Sequence, residues 1–185
     1  MTAVIIIVVV VVVLLLVVAL MYNSLVRARN RVDNAWSQID VQLKRRYDLI
    51  PNLVETVKGY AAHETGTFEA VVRARGAAMA AGGAAPADRA AAENALTASL
   101  GRLLVLAEAY PTLRASENFS ALQGELATTE DKIAYARQFY NSATQTFNTS
   151  TQTIPTNLIA GPLGFRATQF FETTDGERGP VQVRF

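Results

Sequence analysis

The sequence predicts an all-α protein: an N-terminal transmembrane helix continuing into an antiparallel up-and-down helical bundle, or a long coiled-coil hairpin, of three to four helices, followed by an irregular C-terminal tail. Three observations predict it. Residues Ala3 to Met21 are nineteen consecutive apolar residues with no charge, Gly or Pro. From residue 23 to 153 apolar side chains recur at alternating spacings of three and four, the period of helices that bury one face. Gly and Pro cluster at residues 82–86 and again through 154–185, where they stop helices. The chain therefore divides into an anchor (1–22), a helical region (23–153) and a tail (154–185).

A helix of nineteen residues spans about 29 Å, close to the ~30 Å hydrocarbon core of a bilayer. Twelve of the nineteen are Val or Ile, mediocre helix formers in water. In lipid that preference matters little, because a lone segment can satisfy its backbone only as a helix. The competing reading is a cleaved signal peptide. That would need a basic start and a small-residue cleavage site, whereas Met1-Thr2 carries no Lys or Arg and Val17-Val18-Ala19 is a weak site. Arg27, Arg29 and Arg31 follow the span within the window that sets topology. They place the N-terminus outside and the C-terminal domain in the cytoplasm. The absence of cysteine agrees with a reducing compartment.

The segment 23–82 reads as helix. Its stripe holds Trp36, Ile39, Leu43, Ile50, Leu53, Val57, Tyr60, Phe68 and Val71, and the heptad register does not slip at Pro51. Pro51 removes one helical hydrogen bond and crowds the carbonyl four residues back, so the sequence allows a kink or a turn there. Gly82-Gly83-Ala84-Ala85-Pro86 stops this segment and starts the next. A helix follows over about 87–109, with Leu96, Leu100, Leu103, Ala107 and Tyr110 on one face, and Pro111 breaks or bends it. Ser116 is placed to cap the last helix, 117–153. There the stripe is Phe119, Leu126, Ile133, Tyr140 and Phe147, facing small residues on the companion row.

The expected helix-packing seam is thus Trp36, Ile39, Leu43, Ile50 and Leu53 against Phe119, Leu126, Ile133, Tyr140 and Phe147. A hairpin about residues 82–85 would set Trp36 opposite Ile133, Leu43 opposite Leu126 and Ile50 opposite Phe119. Fold-backs at Pro51 and Pro111 would instead make a four-helix bundle. A thin hairpin leaves Tyr47, Val54, Leu104 and Phe139 off the seam, so these require a fold-back or a second subunit. In the tail, Leu158-Ile159-Ala160, Phe165, Phe170 and Phe171 are too apolar for a free end and are expected to dock on the bundle or on a neighbour.

Little in the sequence points to catalysis. Seventeen basic and sixteen acidic residues give a net charge of +1, which is no footprint for nucleic acid. His63-Glu64 opens like a zinc-protease helix, but the second His would fall at 67, which is Thr. No Gly-rich phosphate loop follows a strand, and no cofactor, metal site or small-molecule substrate is expected. Asp40 and Asp48 flank Lys44-Arg45-Arg46 at spacings that allow helical ion pairs. Lys44 lies roughly 32 Å along the helix beyond Asn23, past the ~8 Å reach of headgroup charge. Arg46 falls on the apolar stripe, where a structural ion pair would hold it. Asn30, Asn34, Asn52, Asn141 and Asn148 lie in helical segments, where such residues can fix register.

Read together, these strings resemble the LemA family of bacterial membrane proteins. The resemblance rests on Tyr22-Asn23-Ser24-Leu25-Val26, Ala35-Trp36, Ile39-Asp40-Val41-Gln42-Leu43-Lys44-Arg45-Arg46 and Asp48-Leu49-Ile50-Pro51-Asn52-Leu53-Val54. It continues through Val57-Lys58-Gly59-Tyr60, Glu108-Ala109-Tyr110-Pro111, Glu130-Asp131-Lys132-Ile133, Tyr140-Asn141, Pro155, Asn157-Leu158-Ile159-Ala160 and Phe170-Phe171-Glu172. It implies an N-terminal anchor and a cytoplasmic helical domain at the cell membrane, and it supplies no activity. The expected role is a non-enzymatic scaffold on the lipid bilayer that forms a homo-oligomer or recruits a membrane-protein partner. The alternative is an accessory protein that regulates a membrane enzyme.

Overall fold

In a computed structural model, residues 1–171 are described. Six α-helices account for most of them: α1 (Thr2–Lys58), α2 (Thr65–Ala80), α3 (Pro86–Glu108), α4 (Pro111–Arg114), α5 (Glu117–Gln152) and α6 (Asn157–Ala160). A 3₁₀ turn, Ala81–Gly83, closes α2. No strand occurs among the described residues. The protein is all-α, with one long apolar N-terminal helix and several later helices that pack together. The described residues divide into two compact units, the first of residues 1–38 and 138–168, the second of residues 39–137 and 169–171.

In the first unit the apolar span is a helix with mean hydropathy 3.9 and none of that stretch buried against the protein. A core helix would be covered by the chain, so this surface has lipid as its medium. Beyond the span, Leu25, Val32, Ala35, Tyr140, Ala143 and Phe147 are buried and Trp36 is half-buried. The Trp36 and Tyr140 rings meet at 5.1 Å. Tyr140 is one heptad beyond the Ile133 expected opposite Trp36, the displacement that a seven-residue repeat cannot distinguish from the sequence.

The second unit is built on the 39–58 part of α1, on α2, α3 and α4, and on the 117–137 part of α5. Its core holds Ile39, Leu43, Ile50, Leu53, Val57, Phe68, Val71, Leu96, Leu103, Leu113, Phe119, Leu126 and Ile133. Helix α1 passes through Pro51 without a break, which removes the turn and the fold-back considered there. The break comes later, at residues 59–64, so the segment 23–82 is two helices rather than one. Tyr60, expected on the stripe, is exposed in that connection, and so is His63. Pro111 does end a helix, and the Ser116 Oγ accepts from the Phe119 amide at 3.5 Å, a long capping contact. Return of the chain after residue 64 buries Tyr47 and Val54, two of the four side chains left off a simple seam. Leu104 stays half-buried and Phe139 exposed.

In the tail, Ala160 and Phe165 are buried in the first unit. Phe171 is buried in the second, with the Arg137 guanidinium 4.8 Å from its ring centre. Leu158 and Phe170 remain exposed. The expectation for residues 172–185 lies outside the described residues.

Helix α1 tolerates Pro51 for an identifiable reason. Without an N–H at position 51, the Tyr47 carbonyl loses its helical donor. The Arg75 Nε of α2 donates to that carbonyl at 2.8 Å. Arg75→Met should therefore cost about 1–3 kcal/mol in the natural sequence, the penalty of an unmet carbonyl. In a Pro51→Ala background the helix supplies its own donor, and the same substitution should cost far less. Thermal unfolding in detergent micelles of the four proteins of this cycle measures the coupling; equal costs in both backgrounds would contradict the assignment.

Candidate functional site

The most polar part of the interior lies in the second unit. Arg46 is at zero exposure, on the heptad row it shares with Ile39 and Leu53. One turn of α3 provides its partners. The Arg46 Nη2 donates to the Glu93 Oε2, and its Nη1 donates to the Thr97 Oγ1 at 2.9 Å. The Glu130 carboxylate of α5 accepts from the same Nη1 at 2.9 Å and 3.2 Å. Thr97 passes its own proton to the Glu93 carbonyl at 3.1 Å. The Tyr47 hydroxyl donates to the other oxygen of Glu93, which is also fully buried.

These groups form a network of mostly charge-assisted bonds across three helices, in which both terminal nitrogens of Arg46 are met and its Nε is left without a partner. Burial pushes the Tyr47 phenol well above its ordinary value of 10, and the adjoining Glu93 carboxylate pushes it further in the same direction. Tyr47 is thereby a fixed proton donor rather than an acid at neutral pH. Around this centre, Arg89 of α3 pairs with Asp40 of α1 and donates to the Gly82 carbonyl at 3.3 Å. Asp40 therefore leaves the local cluster expected for it, while Lys44 and Asp48 keep the expected i,i+4 pair at 3.2 Å on the surface. Arg45 reaches Glu125 at 3.7 Å. Glu130 is in an ion pair with Arg46 at 2.9 Å while its side chain stays about one-third exposed.

The first unit has its own focus. The Tyr22 ring meets Phe165 at 5.8 Å and Phe147 meets Phe165 at 6.5 Å, both edge-on. Asn148 holds the tail by its backbone: its amide nitrogen donates to the Thr168 carbonyl at 2.9 Å, and its amide oxygen accepts from the Thr168 N–H at 2.8 Å. Asn148, one of the helical asparagines, thus pins a separate segment. Arg27, Arg29 and Arg31 are exposed on α1. All ten seam residues lie on α1 or α5, nine of them buried and Trp36 half-buried. Sequence reasoning missed Glu93 and Tyr47 as the partners of the Arg46 centre. The signal was present: Glu93 falls three residues before Leu96 on the apolar face of α3, as Arg46 falls on that of α1, and two opposite charges on facing stripes predict a buried pair.

No group of three or more His, Cys, Asp or Glu placed to hold a metal occurs among the described residues. An apolar span followed by a helical domain is the arrangement implied by the resemblance, and the model of the LemA family matches residues 35–185. The chain belongs to the LemA family. Relatives include "Magnetosome protein MamQ 2" of Paramagnetospirillum magneticum, 26% identical over 186 residues that cover 88% of this chain and 68% of the relative. "Magnetosome protein MamQ" of Magnetospirillum gryphiswaldense is 24% identical over the same shares. "Protein LemA" of Metamycoplasma hominis is 24% identical over 163 residues, covering 87% of this chain and 73% of that protein. The chain is thus a LemA-family membrane protein with an N-terminal transmembrane helix.

The raised Tyr47 value has a signed consequence for stability. A phenol whose folded pKa lies above its unfolded value of about 10 contributes stability that is complete below that pH and is lost as pH rises through the folded value. Tyr140, also raised by burial, acts in the same direction. The melting temperature of the full chain should fall above about pH 10. Tyr47→Phe should lower it at neutral pH, through loss of the bond to Glu93, and flatten the alkaline fall. An unchanged alkaline slope in that variant would show that Tyr47 does not carry it.

Proposed function

We propose that this protein is a non-enzymatic scaffold: a single-pass anchor displays a cytoplasmic helical domain that self-assembles and so organises membrane or recruits partners to it. The arginines Arg27, Arg29 and Arg31 support a cytoplasmic domain with the N-terminus outside. The breaks at residues 59–64 and 81–85, with Arg46, Arg75 and Arg89 each tying one helix to another, support an antiparallel up-and-down bundle in the second unit over a long hairpin. The observation that carries the assembly reading is the set of large apolar side chains left in water outside the span: Val41, Val105 and Tyr135 of the second unit are each more than 60% exposed. A partner helix laid on these faces would take their apolar surface out of water. The relatives named as magnetosome proteins carry the name of a cellular structure rather than of a reaction, in keeping with this role.

One feature favours the regulatory-accessory reading as the alternative. Between the end of α1 and the start of α2 an open apolar groove is formed by Val54, Phe68 and Val72, rimmed by Glu55, Lys58 and Arg73. A segment of a membrane protease or of an envelope-stress protein would fit its mixed lining.

The mass of the detergent-solubilised particle separates the two. The scaffold reading expects several copies of this chain and no second protein in fixed ratio, and continued self-association in protein lacking residues 1–22. A single copy bound to a membrane enzyme would place the accessory reading first.

A further inference from the structure

In the first unit the antiparallel pairing of α1 and α5 assigns a level to each residue near the membrane. Trp36 packs on Tyr140. One heptad toward the membrane, Arg29 and Phe147 line the same small cavity. A second heptad leads to Tyr22 on α1 and to residue 154, just past the end of α5 at Gln152. The aromatic contacts agree, since the Phe165 ring bridges Tyr22 and Phe147. Tyr22 is the first residue after the apolar run, which ends at Met21. The chain after α5 therefore turns at the height where the transmembrane helix leaves the hydrocarbon.

That turn is held firmly from inside. Phe165 N–H donates to the Ala160 carbonyl at 2.9 Å, and both residues are buried. Gly164 takes φ 78°, the left-handed conformation that favours glycine, where the chain swings into Phe165. Asn148 clamps the backbone at Thr168. Yet the outside of the turn is apolar and bare: Ile154 is 81% exposed, Leu158 71% and Leu163 47%. Arg29 and Arg166 line one cavity behind it. Arg29 lies about 12 Å along the helix from Met21, within reach of headgroups for a long side chain.

We propose that the turn Ile154–Leu163 is a second membrane contact. Ile154, Leu158 and Leu163 enter the boundary between headgroups and acyl chains beside the transmembrane helix, and Arg29 and Arg166 meet the headgroup phosphates. The occupant is the bilayer because the turn is continuous with the surface already in lipid: Tyr22 joins the two through Phe165. Side chains of this kind, apolar with flanking Arg and an interfacial Tyr, are those that settle at the headgroup level. Anchoring at two points around one helix fixes the tilt and rotation of the domain on the membrane. The turn does this whether the protein acts as a scaffold or as an accessory subunit.

The chain has no cysteine, so single labels report cleanly. A polarity-sensitive fluorophore is placed at Leu158→Cys in the full chain, in vesicles of phosphatidylcholine and phosphatidylglycerol. Ser37→Cys, exposed and sixteen residues beyond Met21 on α1, serves as the aqueous reference. Lipids carrying a shallow nitroxide should quench the label at 158 several-fold more than that at 37, and aqueous iodide should show the reverse order. Ile154→Cys should repeat the pattern, and neither label touches the buried side of the turn. Equal access of iodide to positions 158 and 37 would overturn the proposal. Protection of 158 from both quenchers would overturn it too, and would identify a second protein surface as the cover.

Discussion

A guanidinium with no solvent exposure must be matched by its neighbours, and in this chain the match recruits three helices. Arg46 of α1 is met by Glu93 and Thr97 of α3 and by Glu130 of α5, and the adjacent Tyr47 shares Glu93. Taking these charges out of water costs several kcal/mol per ion, on the order of what their attraction returns, so the set adds little net stability. Its effect is on register. A slide of α3 by one heptad, about two turns, against α1 would part the fully buried Glu93 carboxylate from the Arg46 guanidinium and strand both in an apolar core. The hydrophobic stripes tolerate such a slide, because they repeat every seven residues; the single arginine does not. The fourth helix is tied in by the same stretch of α1, since the carbonyl that Pro51 strips of its donor belongs to Tyr47 and is taken by Arg75 of α2.

This division of labour explains what the sequence could and could not disclose. The apolar span, the helical content, the stop at residues 82–86 and the buried stripes follow from composition and period alone. Arg46 stood out because a charge on an apolar row has to be accounted for. Its pairing with Glu93 spans forty-seven residues, and no local spacing encodes that. The break at 59–64 was hidden because Val71 continues the heptad row of Trp36, Leu43, Ile50 and Val57 in register, so periodicity ran straight through a change of helix. The partner of Trp36 was displaced by one heptad for the same reason: repeats specify a face, while unique side chains specify the position along it. In the tail, burial of Phe165 and Phe171 followed from their size. The bareness of Ile154 and Leu158 did not, and it becomes intelligible only once Tyr22 fixes how close that turn lies to the membrane.

The functional reading rests on the same economy. The buried hydrogen bonds and ion pairs of Arg46, Arg75 and Arg89 hold helices to one another. The surface instead offers apolar side chains above the span, arginines after it and a groove between α1 and α2. In the proposed scaffold these are the surfaces that would meet lipid and protein. A rigid polar centre suits that role, because a display surface acts through shape that must persist without a ligand.

The central claim is that Arg46 couples the helices of the second unit into one cooperative structure. Amide hydrogen exchange of the full chain carrying Arg46→Met tests it most directly. Breaking a buried pair on one side costs about 3–5 kcal/mol, because the remaining charge is stranded. The account predicts that protection falls together in residues 39–58, 65–80, 86–108 and 117–137, by a similar factor in each. Faster exchange confined to the turns of α1 and α3 around residues 46 and 93, with α2 and α5 unchanged, would contradict it.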